Sequence, residues 1–146
     1  MPTKVSKLFG FFNRLIIKRW QLMYSTREEN VKEHSFDVSV IVHTLAILAN
    51  TYFSGNYDPA KAVMFAVFHD TPEAITGDMP TPVKYFNPDV KAAADKVEAL
   101  AIQKMVSCLP VEMRGEYEKV FNIPCDYKPL VKAADRIAAL AKCLEE

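Results

Sequence analysis

Residues 58–72 read DPAKAVMFAVFHDTP, and this stretch decides the fold class. Asp58 is a favoured N-cap residue and Pro59 suits the first helical position, so the pattern predicts that a helix begins here. The residues that follow leave this helix without a polar face, which predicts a central, buried helix. Across the chain apolar residues recur at helical rather than alternating spacing, and only four glycines occur. The predicted fold class is therefore all-α.

Two polar side chains follow this apolar segment. Pro72 disfavours helical backbone at the residue before it, so the helix is expected to end just after His69 and Asp70. Both side chains can carry charge, and both are costly to bury without a partner. A divalent cation would satisfy both.

The flanking sequence predicts further helices and one irregular segment. Asn30 is a good N-cap with Glu33 three residues on, as in a capping box, and Asn87 with Pro88 forms a second helix start. Three prolines make the segment 77–88 a stiff, irregular loop. The predicted helices span residues 5–24, 30–50, 59–70, 88–108 and 111–121, with a final Ala-rich helix from 129 onward.

The first of these helices, if regular, places an arginine among apolar residues. Arg19 shares a stripe with Leu8, Phe12 and Leu15, and an inward arginine needs an anion. A phosphate would suit its planar guanidinium, and a structural ion pair with an acidic residue is the alternative. Trp20 lies about 100° further around the helix, where hydrophobic packing alone would explain it.

Composition narrows the classes of function. The chain has 146 residues, half of them apolar, which fits one domain. Lys and Arg number 18 and Asp and Glu 18, so no net charge favours a nucleic acid polymer or an anionic membrane. The longest apolar run is far short of the roughly 20 residues of a spanning helix. Three cysteines without a close pair are expected to be thiols, and a cytoplasmic location is predicted.

The histidines differ in their predicted orientation. His34 lies on the core face of its helix, whereas His43, nine residues later, is half a turn out of phase and is expected at the surface. With His69 and Asp70, His34 gives a set that suits a first-row divalent cation, and Asp135 on the last helix is the best candidate for a fourth ligand. The alternative is that the histidines are hydrogen-bonded core residues and Asp135 is a solvated one.

The order His34, then His69 and Asp70, then Asp135 is the H…HD…D pattern of the HD-domain metal-dependent phosphohydrolases. Further stretches resemble the bacterial 5′-deoxynucleotidase branch of that superfamily, in order and over nearly the whole chain. They are KRWQLM at 18–23, REENV at 27–31 followed by EHS at 33–35, and TGDMPTPVKYFN at 76–87.

This resemblance implies a single HD domain over residues 1–146, a bundle of about five to seven helices around a metal site. Relatives usually continue with further helical sequence, so the C-terminal part is expected to be truncated relative to the family. The implied activity is hydrolysis of a deoxyribonucleoside 5′-monophosphate to deoxynucleoside and phosphate by a protein that is usually a homodimer or higher homo-oligomer. The implied cofactor is one divalent cation, cobalt, manganese or another first-row metal, and the implied ligands are His34, His69, Asp70 and Asp135.

The resemblance also implies roles around the metal. Glu73 would orient or deprotonate the attacking water, and its alternative is a carboxylate facing a helix dipole. Asp78 would hold the 3′ hydroxyl of the sugar or protonate the leaving oxygen, with sugar binding preferred, and its alternative is a turn residue. Arg19 would orient the phosphate, and Trp20 would leave no room for a 2′ hydroxyl. His34 and the loop residues Thr81, Pro82, Val83 and Lys84 would also contact substrate, although a surface loop whose prolines merely end helices would have the same sequence.

Two other functions compete with the monophosphatase. A triphosphohydrolase acting on deoxynucleoside triphosphates would need more cationic side chains near the phosphates than Arg19 and Lys84. A non-catalytic nucleotide-binding module would be expected to lack a ligand or Glu73, and none of these is missing.

Overall fold

The structure is a computed structural model that describes the backbone of residues 4–145 and the side chains of residues 7–145. Among these residues there is no β-strand, only an isolated bridge between Lys18 and Asn30. The all-α prediction is confirmed. The helices are α1 (Lys4–Asn13), α2 (Val31–Tyr52), α3 (Pro59–Phe68), α4 (Glu73–Thr76), α5 (Thr81–Lys84), α6 (Pro88–Ser107), α7 (Val111–Phe121) and α8 (Lys128–Glu145).

The described residues form two compact units. The first comprises residues 4–31 and 71–118, and the second comprises residues 32–70 and 119–145. The single HD domain over residues 1–146 stays a prediction. No helix within residues 4–145 is long and apolar enough to cross a membrane.

The second unit is built around one apolar core that α2, α3 and α8 share. Apolar side chains recur every three or four residues on each helix, so each helix turns one stripe toward the others. Alanines in this stripe leave little side-chain bulk between the helices. The buried members are Val38, Val42, Ala46, Ala62, Phe65, Ala66, Tyr127, Val131, Ala134 and Ala138.

Helix α3 begins as the sequence predicts. The side chain of Asp58 accepts hydrogen bonds from the backbone N–H groups of Ala60 at 2.9 Å and Lys61 at 3.2 Å. The expectation that α3 is buried all round is wrong, since the Val67 side chain is 42% exposed. Only one face of α3 packs into the core, and the other tolerates apolar residues at the surface because isolated exposed ones cost little.

The first unit corrects the predicted helix over residues 5–24. Helix α1 ends at Asn13, a short 3-10 turn follows, and Ile17 has extended backbone with ψ 130°. The Val31 N–H donates to the Ile17 carbonyl at 3.1 Å, and the Arg19 N–H donates to the Glu29 carbonyl at 2.9 Å. These non-local bonds replace those a helix would make. The segment also contains two consecutive β-branched isoleucines, which weakens the helical alternative.

The predicted irregular loop over residues 77–88 contains a helical turn, α5, and α4 precedes it. Gly77 ends α4 with φ 76°, a left-handed conformation that favours glycine, and its N–H donates to the Glu73 carbonyl at 2.8 Å. The later boundaries match more closely. The Asn87 side chain caps α6 by accepting from the Val90 N–H at 2.8 Å, and α8 begins one residue before Pro129.

We expect Asp58→Ala to lower the free energy of unfolding by about 1 kcal/mol, because two N–H groups at the start of α3 lose their acceptor. Asp58→Asn keeps an acceptor oxygen at the same reach and is the control, with a loss of less than about 0.5 kcal/mol. Urea unfolding followed by circular dichroism measures both. Equal losses in the two variants would contradict the capping role.

Candidate functional site

The core of the second unit sets the positions of the predicted metal ligands. His34 lies one helical turn before the buried Val38 on α2, and Asp135 lies one turn after the buried Val131 on α8. His69 is the C-cap residue of α3, and Asp70 follows it. His34 and Asp135 are therefore held by helices that the core already fixes, and His69 and Asp70 directly follow a third such helix.

These four side chains converge. His34 Nε2 lies 2.8 Å from Asp135 Oδ1 and 3.7 Å from Asp70 Oδ2, and His69 Nε2 lies 3.2 Å from the same Asp70 oxygen. The two imidazole ring centres are 5.7 Å apart. One possible ligand atom from each of His34, His69 and Asp70 falls within 4.8 Å of the others, and Asp135 joins the group through His34.

Solvent reaches this cluster unevenly. The His34 side chain is fully buried, whereas the Asp135 side chain is 40% exposed. His69 and Asp70 are largely buried. The polar cluster thus has a closed interior and is open to solvent where Asp135 lies.

The orientation of His69 is fixed by its backbone. Its Nδ1 lies 2.6 Å from the Ala66 carbonyl, which can only accept, so Nδ1 carries the hydrogen. Nε2 then faces Asp70, but it is buried and has no hydrogen-bond partner in good geometry among the described residues. A histidine held in this way by a backbone carbonyl is typical of metal ligands, because the other nitrogen is left to bind the cation.

The carboxylates shift the proton affinities of the cluster. Burial lowers the pKa of His69, but the nearby Asp70 carboxylate, the Ala66 carbonyl and the charge of Asp135 together raise that pKa to about 9. Burial and the charge of Asp70 oppose ionisation of Asp135. The hydrogen bond from His34 and the positive charge of the imidazoles outweigh them, so the pKa of Asp135 is lowered.

This donor set fits a divalent cation of the first transition row. Two imidazoles and carboxylate oxygens are the ligands these ions prefer, and the buried His69 Nε2 lacks the partner that a cation would supply. The alternative of ordinary hydrogen-bonded core histidines accounts for the contact of His34 with Asp135. It leaves His34 Nδ1 and His69 Nε2, both buried, without a hydrogen-bond partner among the described residues.

The first unit holds a second polar cluster around Arg19. Glu29 Oε2 accepts from Arg19 Nε at 3.1 Å and from Trp20 Nε1 at 2.8 Å, and Arg19 Nη1 lies 3.9 Å from Asp78 Oδ1. The anion that an inward arginine requires is present here as a glutamate. The prediction that Arg19 and Trp20 lie on stripes of a helix is wrong, since both residues follow the end of α1 at Asn13.

The remaining predicted residues also lie in the first unit. Glu73 is the first residue of α4 and is half-buried. Thr81, Pro82 and Val83 are exposed on α5, and Lys84 Nζ lies 3.4 Å from Glu98 Oε2. Burial lowers the pKa of Lys84, but the neighbouring carboxylates, Glu98 first, raise it above its ordinary value.

Sequence reasoning missed Glu29. The residue belongs to a run of two glutamates, and only the pairing of residues 17–19 with residues 29–31 shows that Glu29 turns inward. The prediction for His43 is confirmed, since its side chain is exposed.

The sequence profile of the family described as "5′-deoxynucleotidase YfbR-like" matches residues 7–146. The chain belongs to this family. A 5′-deoxynucleotidase from Shewanella oneidensis is 44% identical over 146 residues, covering 97% of this chain and 75% of that protein. One from Cronobacter sakazakii is 41% identical over 145 residues, covering 97% of this chain and 73% of that protein. The resemblance inferred from the motifs is confirmed.

Solved structures agree with the fold of this YfbR-like chain. An HD-domain phosphohydrolase from Listeria innocua superposes with a TM-score of 0.82 at 21% identity, over 94% of this chain and 67% of that one. The HD phosphohydrolase DatZ of cyanophage S-2L, bound to dA and one catalytic Zn²⁺ ion, superposes with a TM-score of 0.64 at 25% identity. That match covers 90% of this chain and 67% of the phage protein.

We expect metal affinity of this YfbR-like chain to rise with pH. Because the pKa of His69 is raised from 6.5 to about 9, the metal-free protein holds a proton there at neutral pH, and a cation must displace it. The association constant for Co²⁺ is expected to rise about tenfold per pH unit below about pH 9, the raised pKa of His69, and to level off above it.

Calorimetric titration in buffers of different ionisation enthalpy counts the protons released, about one per Co²⁺ near neutral pH. His43→Gln is the matched control, since His43 is exposed and lies outside the cluster, and its proton count is expected to be unchanged. A count near zero in the unmodified protein would contradict the assignment of His69.

Proposed function

We propose that this chain hydrolyses deoxyribonucleoside 5′-monophosphates to deoxynucleoside and phosphate. The observation that carries the proposal is the convergence of His34, His69 and Asp70 in a member of a 5′-deoxynucleotidase family. A cobalt, manganese or other first-row cation would be held by these three residues and by Asp135. Such an ion lowers the pKa of a bound water and polarises a phosphoryl oxygen.

The chain's own residues would do the rest of the work. Glu73, a half-buried carboxylate at the start of α4, would orient the attacking water and take its proton. Asp78 would hold the 3′ hydroxyl of the sugar, with protonation of the leaving oxygen as its second possible role. The left-handed Gly77 turns the backbone immediately before Asp78 and so fixes where that side chain begins.

Arg19 would orient the phosphate, and Trp20 would exclude the 2′ hydroxyl of a ribonucleotide. Glu29 accepts from Arg19 Nε at 3.1 Å, and Arg19 Nη1 lies 3.9 Å from Asp78 Oδ1, so the guanidinium is held beside the side chain proposed to bind the sugar. Thr81, Pro82 and Val83 are exposed on a proline-stiffened turn, so contacts there would cost little conformational entropy. His34 would contact substrate from the metal cluster.

A substrate with one phosphate is favoured over a triphosphate. Lys84 would contact substrate, but its charge is already paired with Glu98, and Lys18 is paired with Glu28. These pairs reduce the positive charge that three phosphates would require.

We also propose a homo-oligomer, at least a dimer, in the cytoplasm. The oligomer is supported by Phe36, Val40 and Ile47, which are exposed on one face of α2 with spacing that places them in a single stripe.

The cytoplasmic location is supported by the cysteines. Cys125 and Cys143 are exposed thiols and Cys108 is also free, in keeping with a reducing compartment.

The substrate class is tested with a panel. The Co²⁺- or Mn²⁺-loaded protein is expected to release phosphate from 5′-dAMP and 5′-dTMP at least about tenfold faster than from 5′-AMP or from 3′-monophosphates, since a clash or lost contact of this kind costs more than about 1.4 kcal/mol. Phosphate assay with chromatography of the nucleoside product distinguishes this from release of triphosphate from dATP. Equal rates on deoxy- and ribonucleotides would contradict the role of Trp20.

The division of labour is tested by two variants. Asp135→Ala is expected to weaken metal binding and activity together, because one ligand and the partner of His34 are lost. Glu73→Ala is expected to keep the metal while kcat falls about 10²-fold or more, the usual contribution of a general base. Metal content by mass spectrometry and kcat on 5′-dAMP are measured for both, and the reverse pattern would overturn the assignment.

A further inference from the structure

A single buried carboxylate oxygen connects the two side chains assigned to phosphate and sugar. Glu29 is only 7% exposed, and its Oε2 accepts from both Arg19 Nε and Trp20 Nε1. A buried glutamate requires such partners, because its charge is otherwise unsolvated. The guanidinium and the indole are thus tied to each other through one atom.

The backbone strengthens this connection. The Glu29 carbonyl accepts from the Arg19 N–H at 2.9 Å, so Glu29 holds Arg19 through both its main chain and its side chain. Trp20 has φ 63°, a left-handed conformation that a bulky residue adopts only when its surroundings impose it. The indole N–H is the one polar group of that ring, and it points at Glu29.

We infer that Glu29 is a positioning residue for both side chains. Its charge sets the direction of the Arg19 guanidinium, and the length of its side chain sets the position of the Trp20 indole. This inference rests on the proposed function for the roles of Arg19 and Trp20. It adds a determinant of sugar selectivity that itself touches neither phosphate nor sugar.

Two variants separate the effect of side-chain length from that of charge. Glu29→Gln keeps the side-chain length and an acceptor oxygen for the indole but removes the charge. Glu29→Asp keeps the charge but shortens the side chain by one methylene group. Glu28→Gln is the matched control, because Glu28 is the adjacent glutamate and pairs with Lys18 while 70% exposed, where an ion pair contributes little.

The first readout is spectroscopic and needs no substrate. Trp20 is the only tryptophan of the chain, so one indole N–H cross-peak and one fluorescence spectrum report on it. Glu29→Gln and Glu28→Gln are expected to leave the cross-peak near its original position. Glu29→Asp is expected to move it and to increase quenching by acrylamide.

The second readout is the ratio of kcat/KM for 5′-dAMP to that for 5′-AMP. Glu29→Gln is expected to lower kcat/KM about tenfold on both substrates and to retain the ratio, since a charge-assisted bond to Arg19 is weakened. Glu29→Asp is expected to lower the ratio itself about tenfold as the ring loses its fixed place. Glu28→Gln is expected to change neither quantity.

A Glu29→Asp protein with an unmoved indole signal and an unchanged ratio would overturn the inference, and so would a Glu28→Gln variant that loses as much as Glu29→Gln. Thermal melting would reveal whether Glu29→Asp fails to fold, and in that case Glu29→Gln decides alone. A retained cross-peak with lower kcat/KM supports the inference, and an unchanged kcat/KM overturns it. Absence of deoxy preference in the unmodified protein would instead contradict the role of Trp20 in the proposed function, while the spectroscopic result would still decide the placement of the indole.

Discussion

Ionisable groups that are withdrawn from water must satisfy one another, and this requirement governs the chemistry of both units. In the second unit His34 is fully buried beside two carboxylates, and His69 Nε2 lies 3.2 Å from one of them, Asp70, without a hydrogen bond in good geometry. Such a cluster is costly without a cation or a proton to balance it. The raised pKa of His69 expresses that need: without metal, a proton takes the place.

The same requirement explains the first unit. Arg19 and Glu29 are both largely buried, and each supplies the opposite charge that the other needs. The two clusters differ in their charge. The imidazoles of the second unit face two carboxylates, a donor set that suits a cation, whereas the positive charge of Arg19 is paired with Glu29.

Local sequence signals predicted the fold well where the interactions are local. The capping side chains of Asp58 and Asn87 bond to N–H groups within three residues of themselves, so they could be recognised without tertiary information. The prediction of one helix over residues 5–24 was wrong because the structure that replaces its second half depends on non-local hydrogen bonds. Residues 17–19 pair with residues 29–31. Glu29 was missed for the same reason, since nothing in a run of two glutamates indicates which one turns inward.

The order and types of residues by themselves determined the all-α class, the family and the candidates for metal binding. Helical periodicity, the motifs that resemble the family and the few polar residues among apolar ones can all be read along one chain. Only the tertiary structure decided that His34, His69 and Asp70 lie within 4.8 Å of one another and that one oxygen of Glu29 joins Arg19 to Trp20. Distances between side chains far apart in the chain depend on how helices pack and loops pair, and the free energy of those contacts is not encoded in any single segment.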